Sequence, residues 1–174
     1  MFSCVRYFLG YALGIGLFCG AIPFGLYRLH RLSLAAFALS SHLPTVLRWV
    51  LVGALLVSGM SFAIWSNLAL KKIGGGGPTD GFGVAVTPRT MHLVVVGPYQ
   101  YTRNPLAFGM WLNYLALSLA MDSIILVVLL ILLVPVIKVY IWRFEERRLR
   151  ADFGLDYDAY RDRVPAFFPR KNRR

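Results

Sequence analysis

Two short stretches carry side chains that can do chemistry. One is Gly97-Pro98-Tyr99-Gln100-Tyr101-Thr102-Arg103-Asn104-Pro105, where an arginine stands directly before an Asn-Pro pair. The other is Arg143-Phe144-Glu145-Glu146-Arg147-Arg148, with two adjacent carboxylates set among arginines. Asn104-Pro105 reads as a helix start, because Asn can accept a bond from an orphan amide at the N-cap and Pro is tolerated at the first helical position. The amides and positive dipole end then lie beside Arg103, which suits an anionic group. At about 100° per residue, Glu145 and Glu146 share an arc with Trp142, Leu149 and Phe153, while Arg143, Arg147 and Arg150 take the opposite face. An amphipathic helix turns its apolar arc inward, so both carboxylates point at the protein interior. The bland alternative is a solvated helix end with Arg143–Glu146 and Glu146–Arg150 pairs, worth a few tenths of a kcal/mol each. Two adjacent acids on an apolar face are costly unless they meet a cation or donor, which favours a ligand. The expectation is that the two stretches form the walls of one site at a membrane surface.

The elements that must position these walls are apolar helices. Of 174 residues, 57% are hydrophobic and 16% charged, with a net charge of +11. The basic residues flank apolar runs instead of lining one soluble face, so an anionic lipid surface fits them and nucleic acid does not. Four spans are expected: Tyr7 to Tyr27, bent at Pro23; Val46 to Leu70; Pro105 to Ala120; and Ser123 to Trp142, bent at Pro135. Residues 32–44 read as a short connection or interfacial segment. The second span carries Gly53, Ser58, Gly59 and Ser61, and the third carries a stripe of Pro105, Gly109, Asn113, Ala116 and Ala120. Both permit close helix packing. Asn113, inside the membrane, is expected to be a bonded structural residue. Arg48 and Lys138 can snorkel from their spans.

Between the second and third spans lies the long polar connection, Lys71 to Arg103. Gly74-Gly75-Gly76-Gly77-Pro78 lacks the Gly-Lys-Ser/Thr of a phosphate loop and is expected to be a flexible linker. Leu93 to Val96 should tuck against the helices, with His92 on the surface. Cys4 and Cys19 lie too far apart along a helix to be bridged, and no Cys/His cluster has metal-ligand spacing. After the glutamates, Phe153-Gly154 reads as a helix stop. A short amphipathic piece with Tyr157, Tyr160 and Val164 on one face follows and folds back as a cap. The arrangement is an all-α membrane protein in a single domain, 1–174. Residues 1–70 form two N-terminal spans, 71–104 the loop, and 105–169 the hairpin and cap. The positive-inside rule places both termini, the long loop and the site in the cytoplasm, with the basic residues 170–174 near lipid headgroups.

Taken together, the motifs resemble the isoprenylcysteine carboxyl methyltransferase family and its relatives among phospholipid N-methyltransferases. The family pattern is Gly-Pro-Tyr-x-Tyr-x-Arg-His/Asn-Pro, a helical hairpin, Arg-x-Glu-Glu, then Phe-Gly-x-x-Tyr-x-x-Tyr-x-x-Arg-Val-Pro. Here these are Gly97 to Pro105, Gly109, Arg143 with Glu145-Glu146, and Phe153-Gly154 through Tyr157, Tyr160 and Arg163-Val164-Pro165. The resemblance covers roughly residues 90–169. It implies S-adenosylmethionine as cofactor, lined by Tyr101, Arg103, Asn104, Pro105, Leu106 and Gly109 on one side and Glu145 and Glu146 on the other. Tyr157, Tyr160 and Arg163 would close the cap. It also implies a small or lipidic acceptor held by Arg103 or Arg163 as the catalytic pair. Ala107 departs from the Tyr usual at that place. A carboxylate or thiol acceptor needs no general base, in keeping with the lack of a His dyad. The competing readings are a phospholipid amine N-methyltransferase, a non-catalytic membrane scaffold that keeps the fold, and a membrane reductase binding a nicotinamide cofactor.

Overall fold

The structure, a computed structural model, describes residues 2–37, 43–77, 80–81, 84–85, 87 and 90–171. The Cys4 side chain, residues 38–42 of the expected connection and residues 172–174 of the basic end lie outside the described residues. The chain is helical, with one small ribbon that was not expected: β1 (Asp80–Gly81) pairs antiparallel with β2 (Val84–Ala85).

Helices α1 (Phe2–Ile15) and α2 (Ile22–Phe37) are joined without a break by a π-helical turn, Gly16–Ala21. Pro23 accounts for the turn. It has no N–H to offer the carbonyl four residues back and its ring crowds that carbonyl, so the preceding ladder slips to i−5 bonds, with Ile22 N–H on Leu17 O. The disturbance expected at Pro23 therefore falls one turn earlier. The helix also runs on to Phe37, through residues read as a connection. Pro135 acts similarly on the last long helix. There α5 (Ile124–Leu132) and α6 (Val134–Tyr140) are separated by a single turn residue, Leu133. The start of α5 is capped by Ser123 Oγ, which accepts from Leu126 N–H at 3.4 Å.

Among the described residues three helices are long and apolar enough to cross a membrane: Phe8–Ser33, Thr45–Gly74 and Ile124–Arg163. A shorter apolar helix, α4 (Pro105–Ala120), makes the fourth. At about 1.5 Å per residue α4 is only about 24 Å long, against about 30 Å of hydrocarbon. In the last helix the apolar stretch ends at Trp142, about the length a bilayer core needs. The charged residues from Arg143 onward therefore lie beyond the core.

α3 (Thr45–Ala69) and α4 form the closest pair in the fold. Their backbones touch where Gly59 faces Gly109. A Cβ built on Gly109 would stand 2.6 Å from Gly59 O and 3.0 Å from Ala63 N, so only glycine fits there. Asn113 lies in the same contact and donates to Met60 Sδ at 3.7 Å, a packing role. At the other end of the pair, Arg48 closes on Asp122 at 3.0 Å, fixing the start of α3 to the α4–α5 turn.

The glycine-rich stretch is not a free linker. Gly74 and Gly76 are buried, Gly74 packs on Thr90 and Val94, and Met91 N–H bonds Gly74 O at 2.7 Å. Small residues are used here because two stretches of the same loop cross at contact distance. Val94 is buried as expected, whereas Val95 and Val96 are exposed. His92 is exposed.

Candidate functional site

The site is built where four elements meet: the end of α3, the 3-10 turn Gly97–Gln100, the start of α4 and the π-helical turn Ile141–Glu146 that leads into α7 (Arg147–Arg163). Residues 165–170 of the tail clamp it. Arg103 N–H bonds Pro165 O at 2.9 Å, Thr102 Oγ1 donates to Phe167 O at 2.9 Å, and Arg170 N–H bonds Tyr101 O at 2.9 Å. Asn104 does not cap α4 with its side chain, as had been expected. Its Nδ2 donates instead to Ala166 O at 2.9 Å, because the tail carbonyl competes for the side chain. Pro105 does stand at the first helical position. Beneath the tail, Phe167 wedges between α4 and α6 with Val134 and Ile141, against Ala107, Phe108 and Trp111.

Clamped in this way, Arg103 points inward. Its Nη1 makes a 2.9 Å ion pair with Glu146 Oε1, both side chains only 10% exposed, and donates to the Tyr157 hydroxyl at 3.4 Å. The two walls expected from the sequence thus meet in a direct bond. The π turn makes this possible. It places Ile141 and Glu146, five residues apart, on one buried face. The same slip turns Trp142 outward, where it is 57% exposed, so its expected place on the buried arc beside the glutamates is corrected. Arg143, Arg147 and Arg150 are exposed as the periodicity implied.

Glu145 is the second carboxylate. Burial, then the neighbouring Glu146 charge, raises its pKa from 4.5 to about 7. Among the described residues no ion pair or hydrogen bond joins Glu145 to a cation. In the same cluster, Arg103 Nε is a buried donor with no partner among the described residues. Both charges act on the Tyr157 hydroxyl, whose pKa is pushed up to about 12, first by burial and then by Glu146. An unmatched carboxylate and an unmatched donor thus both lie within electrostatic reach of the Tyr157 hydroxyl.

Tyr99 and Ser66 were not singled out in the sequence, yet they frame this cluster. The Tyr99 hydroxyl lies 3.1 Å from Ser66 Oγ, and burial, above all, raises its pKa. Tyr160 donates to Tyr99 O at 2.7 Å and packs with Tyr157, Val164 and Leu93, so it holds the cap down. Ser66 gave no signal because it lies within an apolar span; Tyr99 was visible inside the motif but carried no charge. Other expected residues fall elsewhere. Arg163 is exposed and donates to Ala159 O at 2.9 Å, directed away from the cluster. Gly109 faces α3, and Tyr101 faces Trp65 at 6.3 Å between ring centroids. Leu106 is half-buried at the start of α4. Among the described residues no group of His, Cys, Asp and Glu could hold a metal ion.

No solved structure matches. The chain is 33% identical over 82 residues to the "Nickel-cobalt-cadmium resistance protein NccN" of Alcaligenes xylosoxydans xylosoxydans. That match covers 47% of this chain and 38% of that protein, so this chain spans well under half the length of the relative. Residues 47–156 match the phospholipid methyltransferase family, a stretch from α3 through both walls of the site. Because the match takes in well over half of the sequence, this chain belongs to the phospholipid methyltransferase family, in the group of membrane methyltransferases related to the isoprenylcysteine carboxyl methyltransferases.

Proposed function

We propose that this membrane methyltransferase takes its methyl group from S-adenosylmethionine and passes it to a lipidic acceptor at the end of the bilayer where the Arg103–Glu146 pair sits. The observation that carries the reading is the unmatched pair of charges. Among the described residues Glu145 has no cation, and Arg103 Nε has no acceptor. An amino acid's zwitterionic end supplies both at once: an ammonium for Glu145 and a carboxylate for Arg103. The methionine part of the cofactor carries such an end, and its overall positive charge suits a cluster with two carboxylates and one guanidinium. When bound, the cofactor supplies an electrophilic methyl on sulfonium. The chain's own work is then to hold it, align the acceptor and exclude water under the tail. Arg103 remains the residue proposed to orient charge. Arg163 is set aside, since its guanidinium is turned to Ala159 O.

The acceptor atom divides the reading in two. A carboxylate or thiolate acceptor needs no base, which fits a site without a histidine. A phospholipid amine must lose a proton first. The family match favours this second reading. We infer a cytoplasm-facing site from the basic residues around it.

The test is methyl-labelled S-adenosylmethionine supplied to membranes with and without the protein, followed by lipid extraction. Label released as methanol on alkaline treatment marks a methyl ester, and alkali-stable label in a phospholipid headgroup marks an amine. No protein-dependent label in lipid or in small acceptors would overturn the proposal.

A further inference from the structure

The π turn that faces Glu146 inward also presents a second surface, on the opposite side of the same helix. Lys138, Trp142, Arg143 and Arg147 are exposed there. The guanidinium of Arg147 stacks over the Trp142 ring at 5.7 Å from its centroid. That contact is again a five-residue step, available because Ile141–Glu146 is π-helical. Arg48, Arg150 and Arg161 each sit within salt-bridge distance of an aspartate, whereas Arg28, Arg31, Arg163 and Arg170 are exposed without a carboxylate partner among the described residues and without a stacked indole. Among the described residues neither Arg143 nor Arg147 has a carboxylate partner. The depth is also specific. Trp142 ends the apolar stretch of the last helix, where an amphipathic ring settles among lipid headgroups. Lys138 lies one turn nearer the bilayer centre, its ammonium 5.3 Å from the Phe168 ring.

We propose that this outward face, Trp142 with Arg143 and Arg147 and with Lys138 above them, binds the phosphate headgroup of an anionic phospholipid from the surrounding leaflet. Two guanidiniums one turn apart offer a phosphodiester paired N–H donors. The indole fixes one of them at headgroup level, and the lipid's chains lie along the exposed apolar side of α6, where Val136 and Val139 are 60% and 61% exposed. Solvated surface arginines would need neither the stacked indole nor this depth. The inference does not depend on the methyl-transfer reading, because the face lies outside the Arg103–Glu145–Glu146 cluster.

The test is tryptophan quenching in vesicles of phosphatidylcholine carrying a minor fraction of phosphatidylglycerol, with one or the other lipid brominated near its carbonyl. The Trp142 signal is taken as the difference between the protein and its Trp142→Phe variant. Brominated phosphatidylglycerol is expected to quench that signal in preference to brominated phosphatidylcholine, by about fivefold in relative affinity for each guanidinium. The preference should vanish in Arg143→Gln/Arg147→Gln and persist in Arg150→Gln, whose charge is already held by Asp158. It should also fall as salt is raised in the unmodified protein, which keeps the test independent of how the double variant folds. Equal quenching by the two lipids, or a preference that survives the double substitution or high salt, overturns the proposal.

Discussion

Replacing Arg103 with methionine isolates the bond on which the site is built. The arginine and Glu146 are 2.9 Å apart and each only 10% exposed, so solvent screens the pair weakly. Removing one partner of such a pair strands the other charge, at a cost of about 3–5 kcal/mol. Taking the lower end, because the Tyr157 hydroxyl, relieved of its Arg103 donor, is free to turn its proton toward the orphaned carboxylate, the loss is about 3 kcal/mol. For a chain of this size that corresponds to about 6–12 °C in Tm. Removing both charges should cost much less, since a buried pair replaced by apolar groups of similar size is often neutral. The assay is thermal unfolding of detergent-purified Arg103→Met and Arg103→Met/Glu146→Leu at one fixed scan rate. The single variant should melt well below the parent, and the double should recover most of the difference. A single variant that melts with the parent, or a double that melts lower than the single, would refute the reasoning.

Three further outcomes are expected. Glu145 titrates near 7 in the folded protein against 4.5 in the unfolded chain, so between those values the folded state holds a proton that the unfolded state has lost. Stability should therefore fall as pH rises from 4.5 to 7, by on the order of 2 kcal/mol after allowance for partial exposure, and Glu145→Gln should flatten that part of the Tm–pH curve. Gly109→Ala drives a methyl into the backbone of α3 and should cost about 1–3 kcal/mol, whereas Gly53→Ala, with open space around it, should leave Tm unchanged. Gly154 sits at φ 54° and ψ −127° inside α7, a conformation that disfavours any Cβ. Gly154→Ala should cost about 1–3 kcal/mol, read as increased proteolysis of the cap before global melting.

Much of the scaffold could be read from composition alone, because apolar length and the residues that break it act locally. Pro23, Pro135 and Gly154 each mark a real disturbance of a helix. The inward turn of the glutamates was also legible, since it follows from which residues around them are apolar. What periodicity could not show was the π turn: a scheme of about 100° per residue puts Trp142 beside the glutamates, and one extra residue in the turn moves it to the opposite face. Asn104 and the glycine loop were misread for a related reason. Each partner comes from far along the chain, Ala166 in one case and Thr90 with Val94 in the other, and local propensity carries no information about either. Arg163 was placed in the site by its position in a motif, but the last turn of α7 directs its guanidinium to a backbone carbonyl.

The account rests on Glu145 and Arg103 receiving the zwitterionic end of one cofactor, and calorimetric titration of S-adenosylmethionine into the detergent-solubilised protein tests this most directly. Near pH 6, where Glu145 is largely protonated, binding should release close to one proton, seen as a dependence of the heat on the buffer's ionisation enthalpy. Glu145→Gln should abolish the proton release and weaken binding at least tenfold, while Arg163→Ala binds as the parent does. Binding without proton release and with unchanged affinity in Glu145→Gln, or no binding to the folded protein, would contradict the account.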